Sequence, residues 1–312
     1  MKSWRSAGRY WLALAAAVGL GVIFRTTVAA APPPPPPDIW LQVSPVSNTL
    51  ELRPGQTYDG QIRVKNSGSQ AFNFSLSVSP YYVTDLTYQQ KFDKEIPPYS
   101  QIIHWISLEK TNYQKLSPGS EIAVPYQIKV PKDAPGGGQY AAIFAQTEGN
   151  PSGSIQTINR VGSLFYAHVA GQTRQTGRIL SVAAPHWYLK PPIKTTALVK
   201  NTGNIDFVAK QTMIVKGIFG GEVHRQTIGD KLILPGTTRQ LEISWDKTPT
   251  IGLYRVTNQI EFLGKVQFSK TRLVIVVPIW LMILAGLVLL AGLTIMFKVI
   301  RRALRRPKSR PV

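Results

Sequence analysis

Residues 273–297 contain no charged side chain, and the fifteen that follow carry seven basic ones, Lys298, Arg301, Arg302, Arg305, Arg306, Lys308 and Arg310, with no acid among them. A helix of that length is long enough to cross a hydrocarbon core about 30 Å thick. Basic residues just beyond a span hold that end in the cytoplasm. The pattern therefore predicts one transmembrane helix over 273–297, a basic cytoplasmic tail over 298–312, and an extracellular position for the bulk of the chain. Function has to lie in what an exported, single-pass membrane protein can reach.

The start of the chain supports the same orientation. Lys2, Arg5 and Arg9 precede a short apolar run over 10–24, and Val28, Ala29 and Ala30 offer the small residues that a signal peptidase requires, so residues 1–30 are expected to be a signal peptide. Six consecutive prolines, 32–37, predict a stiff polyproline spacer over 31–37.

Charge and cysteine usage narrow the function classes. The net charge is +20, but four basic residues lie in the leader and seven in the tail, leaving an excess of nine on the exported region. No basic run interleaved with aromatics occurs there, so nucleic acid is not an indicated partner. The absence of cysteine removes thiol nucleophiles, cysteine-ligated zinc and a disulfide framework, and a bacterial surface is the simpler setting for such a chain.

From Ile39 onward the periodicity is that of strands. Phe72, Phe74, Leu76 and Val78 alternate with polar residues, and Ile122, Val124, Tyr126, Ile128 and Val130 do the same. Val64-Lys65-Asn66-Ser67-Gly68 recurs as Val199-Lys200-Asn201-Thr202-Gly203, where Asn and Gly are expected to take positive φ. A Pro-Gly turn follows each copy, at Pro118-Gly119 and at Pro235-Gly236, with about 18 extra residues in the first. The expectation is an all-β chain of two immunoglobulin-like β-sandwich domains in tandem, 38–170 and 171–270, the first carrying an inserted loop over 81–99. The short stretch from 266 to 272 leads directly into the apolar run, which places the second domain close to the bilayer.

Several of these stretches together resemble the WxL-interacting-protein family of bacterial cell-surface proteins. They are 40–45, Leu52-Arg53-Pro54-Gly55-Gln56, 64–68, 116–119 and, above all, 130–141, followed by Leu234-Pro235-Gly236, Ile243-Ser244-Trp245 and Gly252-Leu253-Tyr254. The resemblance implies a peptidoglycan-binding first domain, a second domain that contacts a partner or host surface, and association with WxL-type surface proteins.

A catalytic constellation is not indicated. His104, His168, His186 and His224 stand in no metal-ligand spacing, and Gly136 to Gly138 lack the lysine of a phosphate loop; they suit a strand that starts after a tight turn. Asp93 and Glu95 are close enough in sequence to consider as a carboxylate pair, though solvated loop charges explain them. No enzyme activity, metal or cofactor is predicted. Aromatic rings that stack on sugars are the better clue to a wall polymer. Tyr81, Tyr82, Tyr88 and Tyr99, in or beside the insertion, are the ligand-binding candidates, with Trp187 and Tyr188 as secondary ones, whereas Trp105, Phe144, Phe165 and Trp245 are expected in the core. Two functions follow. One is a non-catalytic surface scaffold that binds peptidoglycan or another wall polymer and a surface protein. The alternative is a membrane-tethered assembly or export factor that holds a client by β-strand addition.

Overall fold

The computed structural model describes residues 39–148 and 158–304. The signal peptide, the proline spacer, Arg305 and Arg306 lie outside the described residues. In chain order the strands of the first half are β1 (Leu41–Ser44), β2 (Ser47–Leu52), β3 (Thr57–Asn66), β4 (Phe72–Pro80), β5 (Tyr82–Val83), β6 (Gln90–Lys91), β7 (Ile106–Leu108), β8 (Asn112–Leu116), β9 (Glu121–Lys129), β10 (Gly137–Thr147) and β11 (Arg160–Val169). Those of the second half are β12 (Gly177–Ala183), β13 (Trp187–Tyr188), β14 (Ile193–Asn201), β15 (Phe207–Gly217), β16 (Glu222–Ile233), β17 (Thr238–Trp245), β18 (Gly252–Phe262), β19 (Lys265–Phe268) and β20 (Arg272–Val276). One long helix, α1 (Ile279–Leu304), follows.

The chain is mostly β, and each half is a sandwich of two sheets. In the first, the sheet β1-β3-β9-β7 faces the sheet β2-β11-β10-β4-β8. Alternation drives this. Ile62 and Val64 on β3, Val124 and Ile128 on β9, Phe74 on β4 and Phe165 on β11 all point into one fully buried core; the neighbours of those on β3 and β9 face outward, while Leu164 and Tyr166 beside Phe165 pack in a second apolar cluster with Tyr81 and Tyr140. Burying a side chain of that size stabilises by about 1.5–3 kcal/mol. In the second half, β12-β14-β17 faces β13-β20-β18-β15-β16, with β19 added to β18. Val199, Leu241, Val256 and Ile260 fill the space between them. Trp105, Phe144, Phe165 and Trp245 are all buried.

The first strand changes sheets: β1 pairs antiparallel with β3, and β2, after Pro45, pairs parallel with β11. β2 reaches β11 only from Leu164 to Val169, so among the described residues the beginning of β11 has no paired strand on that side.

The repeated Asn-x-Gly motif does the same work twice, and not by the expected backbone conformation. Positive φ falls instead on the glycines of the Pro-Gly turns, Gly55, Gly119 and Gly236. Asn66 and Asn201 are fully buried hydrogen-bond centres. The Asn66 amide donates to Gln70 O (2.8 Å) and Leu116 O (2.9 Å) and accepts from Gly68 N; that of Asn201 donates to Ile205 O (2.8 Å) and Ile233 O (2.9 Å) and accepts from Gly203 N. Their backbone carbonyls accept from Gly119 and Gly236, which ties each motif to its Pro-Gly turn.

The apolar run read as one span over 273–297 is divided. Residues 273–276 belong to β20, with Val274 and Val276 buried against β18, because a free edge of a largely apolar strand is available there. Pro278 then opens the helix, which runs through Lys298, Arg301 and Arg302. Residues Ile279–Arg302 are long and apolar enough to cross a membrane, and none of that surface is covered by the rest of the protein.

Candidate functional site

Three features compete for the role of functional site: the insertion, the seam between the sandwiches, and the open edge of β11.

The insertion is a strap. After β5 the chain turns through Leu86 and Tyr88, both at positive φ, +63° and +56°. A left-handed conformation costs a non-glycine residue about 1 kcal/mol or more, and it persists only where neighbours enforce it. The enforcement is visible. Leu86 N–H donates to Thr238 O (2.8 Å) and Leu86 O accepts from Gln240 N (3.3 Å), so Leu86 bridges to Arg239 as a one-residue addition to the edge of β17. Asp85 Oδ1 accepts from Thr238 N (2.7 Å), Tyr88 Oη accepts from Leu234 N (2.8 Å), and the Arg239 guanidinium lies 3.9 Å from the Tyr88 ring centre.

The sequence-predicted tyrosines are therefore separated in role. Tyr81 is 4% exposed, stacked on Phe92 and edge-on to Tyr166. Its ring and that of Tyr88 are occupied by packing and are not free to stack on a sugar. Burial pushes both hydroxyls above the ordinary tyrosine value. Tyr82 is half-buried and donates to Asp93 Oδ1 (3.0 Å), and Tyr99 is half-buried beside a cleft. Glu95 pairs with His104 (3.2 Å), so the two carboxylates considered as a pair are each engaged elsewhere. Trp187 and Tyr188 lie at the opposite end of the second sandwich, and the structure does not bring them near the insertion. Tyr188 Oη donates to Lys194 O, whereas Trp187 is 62% exposed. Lys298, Arg301 and Arg302 continue the helix at its far end.

The seam was not singled out in sequence. Gly136 to Gly138 are where the two halves touch: a Cβ on Gly136 would meet Gln172 N at 2.7 Å, and one on Gly137 would meet Asn204 O at 2.5 Å. Gly138 N–H donates to that same Asn204 O (2.7 Å), and the Asn204 amide donates to Gly136 O (3.0 Å) and Gln172 O (2.8 Å). Beside it, Tyr140 Oη donates to Asp206 Oδ1 (2.6 Å), and His168 bridges Asp206 Oδ1 (2.9 Å) and Glu51 Oε1 (3.0 Å). The hydrogen bond to Asp206 raises the His168 pKa above its ordinary value, against the opposing effect of burial. Burial pushes Asp206 up, but its bonds from His168 and Tyr140 outweigh that and leave it lowered. Two carboxylates beside one imidazole favour its protonated form. A cleft of about 530 Å³ opens on this seam, lined by Pro54, Pro98, Tyr99, Pro135, Gln139 and Asn204 among others. Its lining carries no acid, base or hydroxyl apart from the Tyr99 phenol. Among the described residues, no group of His, Asp and Glu is placed to hold a metal ion.

The third feature is the open stretch of β11. Leu164 donates its N–H to Val46 O (2.9 Å), so the backbone groups of even-numbered β11 residues face the β2 side. Arg160 and Gly162 thus aim N–H and C=O at a side where, among the described residues, no strand pairs with them, although β1 of the facing sheet runs close by. Exposed apolar side chains flank it. Val46 is 72% exposed, Ile158 adjoins β11, and Trp40 follows Ile39, whose carbonyl accepts from the Asn159 amide (3.4 Å). The only other large apolar side chain exposed in the described part of the first half is Leu86 on the strap.

No family model matches the chain, and no curated protein does. Among solved structures, the chain is similar to the class 5 fimbriae chaperone CfaA, with 11% identity, a TM-score of 0.40, and coverage of 77% of this chain and 100% of that one. The CsuC-CsuE chaperone-tip adhesion subunit pre-assembly complex from Csu pili of Acinetobacter baumannii matches with 11% identity, a TM-score of 0.37, and coverage of 74% and 97%. The ASH/PapD-like domain of human CEP192 matches with 14% identity, a TM-score of 0.29, and coverage of 48% and 98%.

Proposed function

We propose that this chain is a membrane-tethered, extracytoplasmic and non-catalytic holding factor that binds an extended segment of a protein client as an added strand on the open edge of β11. The observation that supports this is the edge itself: outward-facing backbone groups at Arg160 and Gly162, framed by exposed Trp40, Val46 and Ile158. Main-chain hydrogen bonds would give affinity, and the apolar frame would select alternating apolar side chains. The sandwiches are read as two immunoglobulin-like domains, and the basic residues after the span support an orientation with the sandwiches outside and the C-terminus in the cytoplasm. A photoreactive side chain at position 46 or 158 in intact cells is expected to form adducts with exported proteins, and one at Val266 is not. Val46→Asp should weaken capture from position 158 at least about tenfold, roughly 1.4 kcal/mol, while leaving an exposed site's stability within about 0.5 kcal/mol. Equal adduct formation from all three positions would reject the edge as the client site.

A second reading has its own support. Tyr99 lines the seam cleft together with Gln139 and Asn204, and an aromatic residue beside amides is a combination that sugar-binding sites use. With the resemblance to WxL-interacting proteins, this supports a scaffold that binds peptidoglycan and a WxL-type surface protein. Sedimentation with purified peptidoglycan, abolished by Tyr99→Ala, is the outcome that reading requires.

A further inference from the structure

The end of the second sandwich nearest α1 carries a concentration of apolar surface that neither proposed client site uses. Register places its parts together. Gly252 on β18 pairs with Val276, the last residue of β20; Tyr188 on β13 pairs with the same Val276; and Gly217, the last residue of β15, pairs with Tyr254. The turn joining β15 to β16 therefore projects from the same end as the chain that enters α1. Strands in a sheet lie about 4.8 Å apart, so that turn sits about 10 Å to the side of β20. Only Val277 and Pro278 separate β20 from the helix, a reach of roughly 10 Å at most.

Phe219, at the tip of the turn, is 97% exposed. Ile218, Ile251 and Leu253 beside it, and Trp187 and Leu189 on and just after β13 at the far side of β20, are each at least two-fifths exposed. An apolar groove of about 560 Å³ runs between the turn and the end of β20. The same end displays Lys190, Lys216 and Lys247, all exposed, against two acids that already have partners: Asp246, bonded by Ser244, and Glu222, which lies opposite Lys216 and is paired with Arg225. A sheet end that is apolar at its tip, aromatic at its side and basic around its margin is the composition of a surface that lies in a membrane interface.

We infer that this end of the second sandwich is seated in the bilayer that α1 spans, with Phe219 and Trp187 immersed at the boundary between headgroups and acyl chains and the three lysines among anionic headgroups. The occupant is the lipid surface because the helix that starts at Ile279 carries this end to it. The seat rests on α1 crossing a membrane and is independent of what the first sandwich binds.

The chain has no native cysteine, so a single nitroxide can be attached without other changes. Full-length F219C, spin-labelled and reconstituted in phosphatidylcholine vesicles containing a minority of phosphatidylglycerol, is expected to be relaxed strongly by oxygen and weakly by a water-soluble nickel complex, at a depth of about 5–10 Å. A label on V266C, in the exposed β18–β19 hairpin at the other end of the sheet, is expected to show the reverse. If the label at 219 is as accessible to the nickel complex as the one at 266, the end stands in water and the inference fails. If it is shielded from both reagents, protein and not lipid covers it, and the inference fails equally.

Discussion

Asn66 and Asn201 show how much one buried polar side chain can organise. Each donates to two carbonyls from different parts of its sandwich and accepts one amide; all three bonds of Asn201 are buried, so removing it strands three partners away from water. Leaving a buried donor or acceptor unsatisfied costs about 1–3 kcal/mol. Asn201→Ala is therefore expected to lower stability by about 2–4 kcal/mol in chemical denaturation. A loss well under 1 kcal/mol would mean that water replaces the amide. Gly203 beside it is fixed for a steric reason: a Cβ there would lie 2.1 Å from Arg174 O. The motif was legible as a repeat because its order of residues recurs. Its mechanism was not, because the carbonyls that Asn201 holds include Ile233, 32 residues away, and nothing local marks that pairing.

At the level of elements, the strap over 81–99 and the edge of β11 treat the same problem in opposite ways. An unpaired strand edge invites another chain. The start of the β17 edge is capped internally by Leu86 at Thr238 to Gln240, whereas the start of β11 is not paired by β2. The strap's contribution can be read at Tyr88, whose hydroxyl accepts the N–H of buried Leu234. Tyr88→Phe keeps the ring against Arg239 and removes only that acceptor, so about 1–2 kcal/mol should be lost. Combined with Asp85→Ala in a double-mutant cycle, the two losses are expected to be non-additive, since both hold one strap. Strict additivity would show that the strap does not act as a unit. Strand alternation, the sandwich cores and the C-terminal apolar segment were readable from period and composition. The strap was readable only as an interruption, because its partners lie about 150 residues onward, and the glycines at 136–138 were readable only as a turn, because the backbone they admit belongs to the other sandwich.

At the scale of the whole molecule, the strap and the seam together hold the two sandwiches, and the seam adds a dependence on pH. The raised pKa of His168 means that its ion pairs with Asp206 and Glu51 contribute fully below the ordinary histidine value of 6.5 and fade as pH rises through the raised one. The lowered pKa of Asp206 means that its contribution is complete above the ordinary value of 3.8 and is lost as pH falls through the lowered one. The seam is thus strongest in the mildly acidic range between those limits and weakens toward alkaline pH. The groups bonded at this site are the carboxylates of Asp206 and Glu51 on the His168 ring, with the Tyr140 hydroxyl on the same Asp206 oxygen. Thermal unfolding followed from about pH 5 to about pH 9 should show a falling midpoint on the alkaline side. His168→Gln should start lower and lose that slope, because a neutral amide can bond to Asp206 without titrating. An identical alkaline slope in both proteins would place the titrating group elsewhere and remove His168 from the account of how the sandwiches are held.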